Sequence, residues 1–294
     1  DLLFATALRE GTVYTNFWGG SDTGWADAQS GPVTYKVCSD AFFALDPNSG
    51  KPRWTYKNGL LVNPTITIAD GRVYFVECRN PKAIAEPTRR MGSENFWKDQ
   101  YLVALDMNTG EKRYERRLDI QPGIVVFYLA AANGKIFIAS SKTEYHLYAF
   151  NAQNGERLWS ATHPWPGTDH SAHMQHPVVV QNTVYLEPHG YHIETGEQLA
   201  AKMGPREGCT TYTGTENAIL YRGTNRQISM WDPVSGATSY WDRLRPGCWL
   251  STSAGGGLVL SPEGGGGCSC GSWMEPSHAF MKKDAPELKL PALQ

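Results

Sequence analysis

The sequence predicts an all-β fold, a β-propeller of four-stranded antiparallel blades, on three observations. A strand–turn–strand phrase of eleven residues recurs along the chain at a spacing near 40 residues. Extended segments lie between the copies, and helical periodicity is absent throughout. A repeat of about 40 residues made only of strands and turns is typical of propeller blades, because one blade cannot bury its faces alone and must stack on its neighbours.

The clearest copy of the phrase runs from Ala44 to Trp54. An apolar strand ends at Leu45, residues 46–50 (Asp-Pro-Asn-Ser-Gly) have turn chemistry, and a second strand begins at Arg53. Each copy is identified by a turn glycine that is free to adopt a positive φ. These glycines are Gly50, Gly110, Gly155, Gly196 and Gly236. Their spacings of 60, 45, 41 and 40 residues set the length of each repeat unit.

The repeats divide the chain into six visible units, of which the last has lost its turn glycine. We expect residues 1–283 to form one propeller of six to eight blades, since sequence outside this chain could complete the first or last blade. Residues 284–294 carry two prolines and predict an extended tail. Because the chain begins with Asp, we expect it to be a processed product or part of a larger multidomain protein.

Charge and hydropathy exclude two classes of partner. The net charge is −2 and no run of like charges is present, which argues against nucleic acid. No apolar stretch is long enough to span a membrane. The six cysteines are even in number and lack the spacing of a zinc ribbon, so they predict disulfides in an oxidising compartment. We therefore expect a secreted, periplasmic or cell-envelope protein, with Cys38–Cys78 and pairs among Cys209, Cys248, Cys268 and Cys270 as candidate bridges.

The repeated phrase Ala-x-Asp-x-x-Ser/Thr-Gly-x-x-x-Trp resembles the tryptophan-docking repeat of the PQQ-like, or quinoprotein-like, β-propellers. That superfamily includes quinoprotein alcohol dehydrogenases and the outer-membrane assembly lipoprotein BamB. The resemblance covers nearly the whole chain. It implies that the aromatic residue four positions after each turn glycine packs between neighbouring blades. The residues so placed are Trp54, Tyr114, Trp159 and Tyr240.

The resemblance also raises the question of a quinone cofactor. A quinoprotein dehydrogenase holds PQQ between a disulfide of adjacent cysteines and a tryptophan, beside a calcium ion bound by Glu, Asn and Asp. This sequence has no Cys-Cys pair and no matching set of carboxylates. The sequence therefore argues against PQQ, and the cofactor remains unknown.

Histidines form the densest group of chemically active residues. Six of the eight lie between His163 and His192, including an H-x-x-H-x-x-H run in a loop rich in proline. Loops of this kind can bring several imidazoles to one divalent transition metal. The candidate ligands are His170, His173, His176 and His189. Ordinary structural hydrogen bonding is the competing interpretation.

A catalytic interpretation uses the same region. A neutral His173 or His176 could act as general base, with Tyr221 and Arg222 of the next unit near the developing charge. Propeller-fold polysaccharide lyases have a similar architecture. This predicts a metal-assisted or histidine-based carbohydrate lyase or hydrolase.

A binding function is the main hypothesis. Several tryptophans lie outside the docking position, and exposed indoles stack on sugar rings, although they also serve to pack long loops. The candidates are Trp18, Trp25, Trp97, Trp165, Trp249 and Trp273. We expect a binding propeller that presents a face rich in His, Cys and Trp to a glycan or a protein partner. The lyase or hydrolase is the alternative, and a PQQ-dependent dehydrogenase comes third.

Overall fold

The computed structural model describes residues 1–8, 38–85, 94–123, 127–141, 144–165, 175–208, 210–242, 244–246, 252–262 and 277–283. The chain forms two compact units. Unit 1 comprises residues 1–167, 172–177 and 193–197. Unit 2 comprises residues 168–171, 178–192 and 198–294.

Unit 1 contains two antiparallel sheets. Its strands are β1 (Leu3–Leu8), β2 (Cys38–Leu45), β3 (Pro52–Tyr56), β4 (Leu60–Val62), β5 (Thr67–Ala69), β6 (Arg72–Cys78), β7 (Gln100–Asp106), β8 (Lys112–Arg117), β9 (Tyr128–Ala132), β10 (Lys135–Ser141), β11 (Tyr145–Asn151) and β12 (Arg157–His163). An eight-stranded sheet has the order β1-β2-β4-β6-β7-β8, with β3 added to β2 and β5 added to β6. A four-stranded sheet has the order β12-β11-β10-β9.

Unit 2 contains three further antiparallel sheets. Its strands are β13 (Val178–Val180), β14 (Thr183–Leu186), β15 (His189–His192), β16 (Gln198–Lys202), β17 (Thr213–Gly214), β18 (Ile219–Arg222), β19 (Ile228–Trp231), β20 (Thr238–Trp241), β21 (Ser253–Gly255), β22 (Leu258–Ser261) and β23 (His278–Met281). The sheets are β13–β16 and β17–β20, with four strands each, and β21–β23, with three. Each of the six predicted units thus contributes at least three strands to the described part of the chain.

The repeated turn has the same backbone hydrogen bond at Gly50, Gly110, Gly155 and Gly236, from the glycine N–H to the carbonyl four residues earlier. In the first, Asp46 accepts hydrogen bonds through Oδ1 from the backbone N–H groups of Asn48 and Ser49, at 3.1 and 2.9 Å. The N–H of Gly50 donates to the carbonyl of Asp46 at 2.8 Å. The five turn glycines have φ between 67° and 73°, a region that favours glycine because it has no Cβ. The turn predicted from the sequence is confirmed.

Aromatic docking is confirmed at three turns, all in unit 1. A Cβ at Gly110 would lie 2.7 Å from the ring of Trp54, and one at Gly196 would lie 2.6 Å from the ring of Trp159. Gly155 is covered in the same way by Tyr114. Each indole also donates a hydrogen bond through Nε1 to the carbonyl three residues before its glycine, from Trp54 to Met107 and from Trp159 to Ile193, both at 3.1 Å. These rings lock one hairpin onto the next.

Tyr240 does not occupy the expected docking position. The β2–β3, β7–β8 and β11–β12 hairpins each contain a register shift just after the turn. Because of this shift, the docking aromatic pairs with the alanine that stands six residues before the turn glycine, as Trp54 pairs with Ala44. The β19–β20 hairpin has no such shift, so Tyr240 pairs with Ser229 instead of Met230. A change of one residue in register moves a side chain to the other face of a sheet. The docking assignment of Tyr240 was therefore wrong.

The predicted Cys38–Cys78 bridge is also wrong, because strand β4 separates the two residues. Cys38 pairs with Val62 of β4, and Cys78 pairs with Leu60 on the other side of the same strand. Two strand spacings amount to about 9.6 Å, beyond the Cα separation of a disulfide. Both residues are fully buried thiols, and the Cys78 Sγ lies 3.5 Å from the carbonyl of Lys98.

The remaining features are the segment between β6 and β7, the absence of a membrane-spanning helix among the described residues, and the C-terminal tail. The long segment from Asn80 to Asp99, between β6 and β7, includes the short α-helix Pro81–Ile84 and the 3₁₀ helix Glu94–Trp97. No helix in the described ranges is long and apolar enough to cross a membrane. The tail 284–294 and the four C-terminal cysteines lie outside the described residues. The domain boundary at residue 283 stays a prediction.

Candidate functional site

A cleft of about 570 Å³ opens on the β17–β20 sheet of unit 2. Its lining is mostly uncharged and able to form hydrogen bonds. The lining residues are Pro205, Tyr221, Thr224, Asn225, Gln227, Ser229, Thr238, Tyr240 and Asp242. Ligand pockets in proteins usually have volumes of about 300–1,000 Å³, so this cleft is large enough for a small ligand or part of a longer one.

A row of cross-strand partners forms the floor of the cleft. Tyr221 on β18 pairs with Ser229 on β19, which pairs with Tyr240 on β20, so the three side chains share one face of the sheet. Tyr221 is buried, and its ring packs against that of Tyr212 in a tilted arrangement with the centroids 5.2 Å apart. Burial raises the pKa of Tyr221, although a hydrogen bond with Thr238 opposes this effect. Its phenol is therefore protonated at neutral pH.

Tyr240 is the exposed member of this row. Its side chain is 65% accessible to solvent, whereas Tyr221 on the same face is only 2% exposed. The absence of a register shift in the β19–β20 hairpin is what places Tyr240 here. An exposed aromatic ring at the edge of a polar cleft offers a flat apolar surface to a ligand.

A strained loop forms the polar rim. Asn225 and Arg226 are consecutive non-glycine residues with positive φ, at 58° and 60°. Such residues cost of order 1–3 kcal/mol each and are concentrated at functional sites. The loop is closed by a hydrogen bond from the N–H of Gly223 to the carbonyl of Gln227, at 3.0 Å. Gln227 in turn donates through Nε2 to Asp242 Oδ1 at 2.8 Å, which fixes the rim to the end of β20.

The structure separates Tyr221 from Arg222. They are adjacent on strand β18, so their side chains point to opposite faces of the sheet. Arg222 is fully buried, and its Nε donates to the carbonyl of Glu207 at 2.8 Å. Only Tyr221 of the two lines the cleft. Their proposed joint catalytic role stays a prediction.

The predicted histidine site is only partly described, because His170 and His173 lie outside the described residues. His176, in unit 1, is half-buried with its ring 5.9 Å from the ring of Tyr128. Burial lowers the pKa of His176, and a hydrogen bond involving Pro177 opposes that shift. The pKa of His189, in unit 2, is lowered by burial and by Lys202. Both imidazoles are therefore mainly neutral at neutral pH.

The metal hypothesis gains no support from the described residues. Within them, no three His, Cys, Asp or Glu side chains converge to hold an ion. A site formed by His170, His173, His176 and His189 stays a prediction. The residues present also do not match the set of groups that holds PQQ in quinoprotein dehydrogenases, since adjacent cysteines are missing from the sequence.

The sequence analysis missed a buried ionic cluster in unit 1. Glu77 is completely buried, and its Oε1 accepts hydrogen bonds from Tyr56 at 2.9 Å, Asn58 at 3.0 Å and Arg79 at 2.6 Å. Arg79 also donates two hydrogen bonds to Glu115, at 3.1 and 2.7 Å. The signal in the sequence is a single carboxylate inside the apolar run 73–78 (Val-Tyr-Phe-Val-Glu-Cys). This cluster lines no described cavity, and we assign it a structural role.

Trp97 favours packing over ligand binding. Its ring contacts Phe96 and Phe127 edge-on, with centroid distances of 4.8 and 5.1 Å. It therefore holds its loop against the core of unit 1. Trp18, Trp25, Trp249 and Trp273 lie outside the described residues.

The antiparallel blades, the Asp–Gly turns and the docked aromatics together define a β-propeller of the quinoprotein-like class. The family model described as outer membrane protein assembly factor BamB matches residues 20–186, which is more than half of the chain. The chain therefore belongs to this family. No curated protein sequence matches the chain.

Several solved structures resemble the chain at low sequence identity. BamB from Moraxella catarrhalis is 13% identical over 80% of both chains, with a TM-score of 0.48. Quinohemoprotein alcohol dehydrogenase from Comamonas testosteroni is 14% identical over 76% of this chain, with a TM-score of 0.47. The enzyme ADHIIG from Pseudomonas putida HK5 is 13% identical over the same share, with a TM-score of 0.45. The chain covers 48% of each dehydrogenase.

Proposed function

We propose that this protein is a binding propeller of the cell envelope or periplasm that holds a glycan in the cleft of unit 2. The observation that carries the proposal is the exposed ring of Tyr240 at the edge of a cleft lined by hydrogen-bonding side chains. The family description, which names an outer-membrane assembly factor, supports an envelope location. The chain would act alone or as one domain of a larger protein.

The chemistry of the lining favours a neutral sugar. A pyranose has an apolar face that can stack on a phenol ring and hydroxyl groups that need both donors and acceptors. Amide side chains of Asn225 and Gln227 and hydroxyl groups of Thr224, Ser229 and Thr238 provide both kinds of group. Asp242 is the one charged residue in the lining.

The strained loop at Asn225 and Arg226 supports the same proposal. Its backbone conformation is held by the hydrogen bonds of Gly223 and Gln227 rather than by local preference. A rim fixed in advance lowers the entropy cost of binding. No specific observation favours the lyase or the hydrolase over this binding function.

The test is calorimetric titration of the purified chain with neutral oligosaccharides, namely cellotriose, maltotriose and chitotriose. We expect millimolar or tighter binding of at least one. Tyr240→Ala should weaken it at least tenfold, about 1.4 kcal/mol, while Tyr240→Phe should retain it. Val234→Ala is the matched control, because Val234 is exposed on the same hairpin but does not line the cleft. Binding that is absent, or unaffected by Tyr240→Ala, would contradict the proposal.

A further inference from the structure

The turn of the β19–β20 hairpin has the backbone geometry of the turns that accept an aromatic ring. The N–H of Gly236 donates to the carbonyl of Asp232 at 2.8 Å, and the N–H of Asp232 donates to the carbonyl of Ala237 at 2.9 Å. The corresponding bonds at Gly110 are 2.9 and 2.8 Å long. The φ of Gly236 is 71°, against 73° at Gly110. The two turns are therefore equivalent in shape.

The turn at Gly236 differs from those at Gly110, Gly155 and Gly196 in that no ring of a described residue covers it, as is also the case at Gly50. Among the described residues, no atom beyond its chain neighbours lies within 4 Å of the position a Cβ would take at Gly236. The repeat explains the difference. The aromatic that covers each turn stands four residues after the preceding turn glycine, and in the copy before Gly236 that position holds the exposed residue Ala200.

The covered turns show what such a site binds. At Gly110 and Gly196 the occupant is an indole that lies on the glycine and donates to the carbonyl three residues earlier. At Gly236 that carbonyl belongs to Pro233. Val234, which is 78% exposed, adds apolar surface next to it. Glycine, carbonyl and apolar neighbour together form what we call the Gly236 docking site.

We propose that the Gly236 docking site binds a tryptophan side chain of a partner protein. The indole ring would lie on Gly236 and its N–H would donate to the carbonyl of Pro233. The site is preorganised, because its turn has the geometry of the covered turns although no described ring lies on it, so little conformational entropy is lost on binding. Tryptophan is also among the residue types enriched at the energetic centres of protein interfaces. The residues of this site do not line the glycan cleft.

The first test is a titration of the ¹⁵N-labelled chain with the N-acetyl amide of tryptophan, in which NMR detects binding of this probe. We expect shifts centred on the backbone amides of Gly236 and its turn. The corresponding phenylalanine amide should bind more weakly, because it lacks the indole N–H. Shifts that are absent at saturating probe, or that centre elsewhere, would overturn the proposal.

Two variants make the assignment specific. Ala200→Trp restores the aromatic of the repeat, so it should cover Gly236, reduce probe binding at least tenfold and raise the melting temperature. Ala201→Trp is the matched control, because residue 201 is also exposed but lies one position beyond the docking position of the repeat, and it should bind the probe normally. If Ala200→Trp fails to fold, Gly236→Asn provides the second variant, since asparagine tolerates positive φ and its side chain would block the site. Unchanged binding in the folded variant would overturn the proposal.

Two further outcomes are informative. Self-association of the chain that Ala200→Trp abolishes would assign the site to a second copy, and would overturn the assignment to a partner protein. Oligosaccharide titration of Ala200→Trp should match that of the unaltered chain. Failure of the docking proposal is thereby distinguished from failure of the glycan proposal.

Discussion

The indole ring of Trp54 lies in the space that a side chain at Gly110 would require. A Cβ at Gly110 would be 2.7 Å from two atoms of that ring, closer than unbonded carbons approach. The glycine therefore serves two purposes, since it adopts a φ of 73° and leaves room for the tryptophan. Gly50 has a similar φ of 67°, but no described atom beyond its chain neighbours lies within 4 Å of its Cβ position.

Alanine substitutions at Gly50 and Gly110 distinguish the cost of backbone strain from the cost of a steric clash with Trp54. Gly50→Ala should cost about 1–2 kcal/mol, the price of a left-handed conformation with a Cβ. Gly110→Ala should cost about 1–3 kcal/mol more, because the added methyl group also displaces Trp54. Urea unfolding followed by tryptophan fluorescence and circular dichroism measures both. Equal losses in the two variants would contradict the docking interpretation.

Acid sensitivity is expected from the turn aspartates. Hydrogen bonds from Arg113 and from the backbone N–H groups of Thr109 and Asn108 lower the pKa of Asp106 from 3.8 to about 2. A pKa that is lowered by folding adds stability above the unfolded value, and that stability is lost as the pH falls towards the folded value. The free energy of unfolding should therefore decrease from about pH 4 to about pH 2.

The control for this prediction is Asp106→Asn, which keeps a hydrogen-bond acceptor but cannot titrate. Asp46 and Glu115 also have pKa values lowered to about 2, so some acid sensitivity should remain in the variant. The difference in free energy of unfolding between the unaltered chain and Asp106→Asn should shrink as the pH falls from about 4 to about 2. A difference that is constant from neutral pH to about pH 2 would rule out the ionic contribution of Asp106.

Glu77 and Glu115 both bind Arg79 but should differ in their effect on stability. The side chain of Glu77 is fully buried, whereas that of Glu115 is 32% exposed. Removing one partner of a buried ion pair costs about 3–5 kcal/mol, because the other charge stays without compensation. Glu77→Ala should approach that loss, while Glu115→Ala should cost about 1 kcal/mol, as exposed pairs do. Chemical denaturation measures the free energy of unfolding of both variants. A larger loss in Glu115→Ala than in Glu77→Ala would contradict the structure.

Cys38 and Cys78 should behave as protected thiols. Both are fully buried, so alkylation of the native protein should leave them unmodified, whereas alkylation in denaturant without reductant should label both. Peptide mass spectrometry assigns each site individually. A Cys38–Cys78 disulfide in the unreduced digest, or labelling that requires prior reduction, would show that the register of β4 is wrong.

The sequence was sufficient to predict the hairpins and most of the docking. Turn chemistry is local, so residues 46–50 determine their own conformation, and the period of the glycines identifies the ring that covers each turn. The face of Tyr240 was not predictable in this way. The face on which Tyr240 lies depends on whether the hairpin has a bulge just after its turn. Arg53 and Leu158 stand at that position in bulged hairpins and Ser239 stands there in the hairpin without a bulge, and these residue types do not predict the difference.

The candidate site was less predictable than the fold. Among the described residues, Tyr221 is the one predicted site residue that lines the cleft, and most of the remaining lining comes from the Thr224–Gln227 loop, β19 and β20. The loop contains no glycine at its strained positions, so its conformation could not be inferred from composition. Glu77 was also missed, since its partner Tyr56 comes from another strand, 21 residues away in sequence.

Strand β4 limits how this chain can be divided or rebuilt. Its three buried residues connect the backbone of β2 to that of β6, so the first two repeat units share one continuous sheet. Deleting or duplicating either unit alone would leave the hydrogen-bonding edge of β2 or β6 exposed. Repeat-by-repeat evolution, and modular engineering that copies it, must therefore treat the segment from β1 to β8 as a single indivisible module.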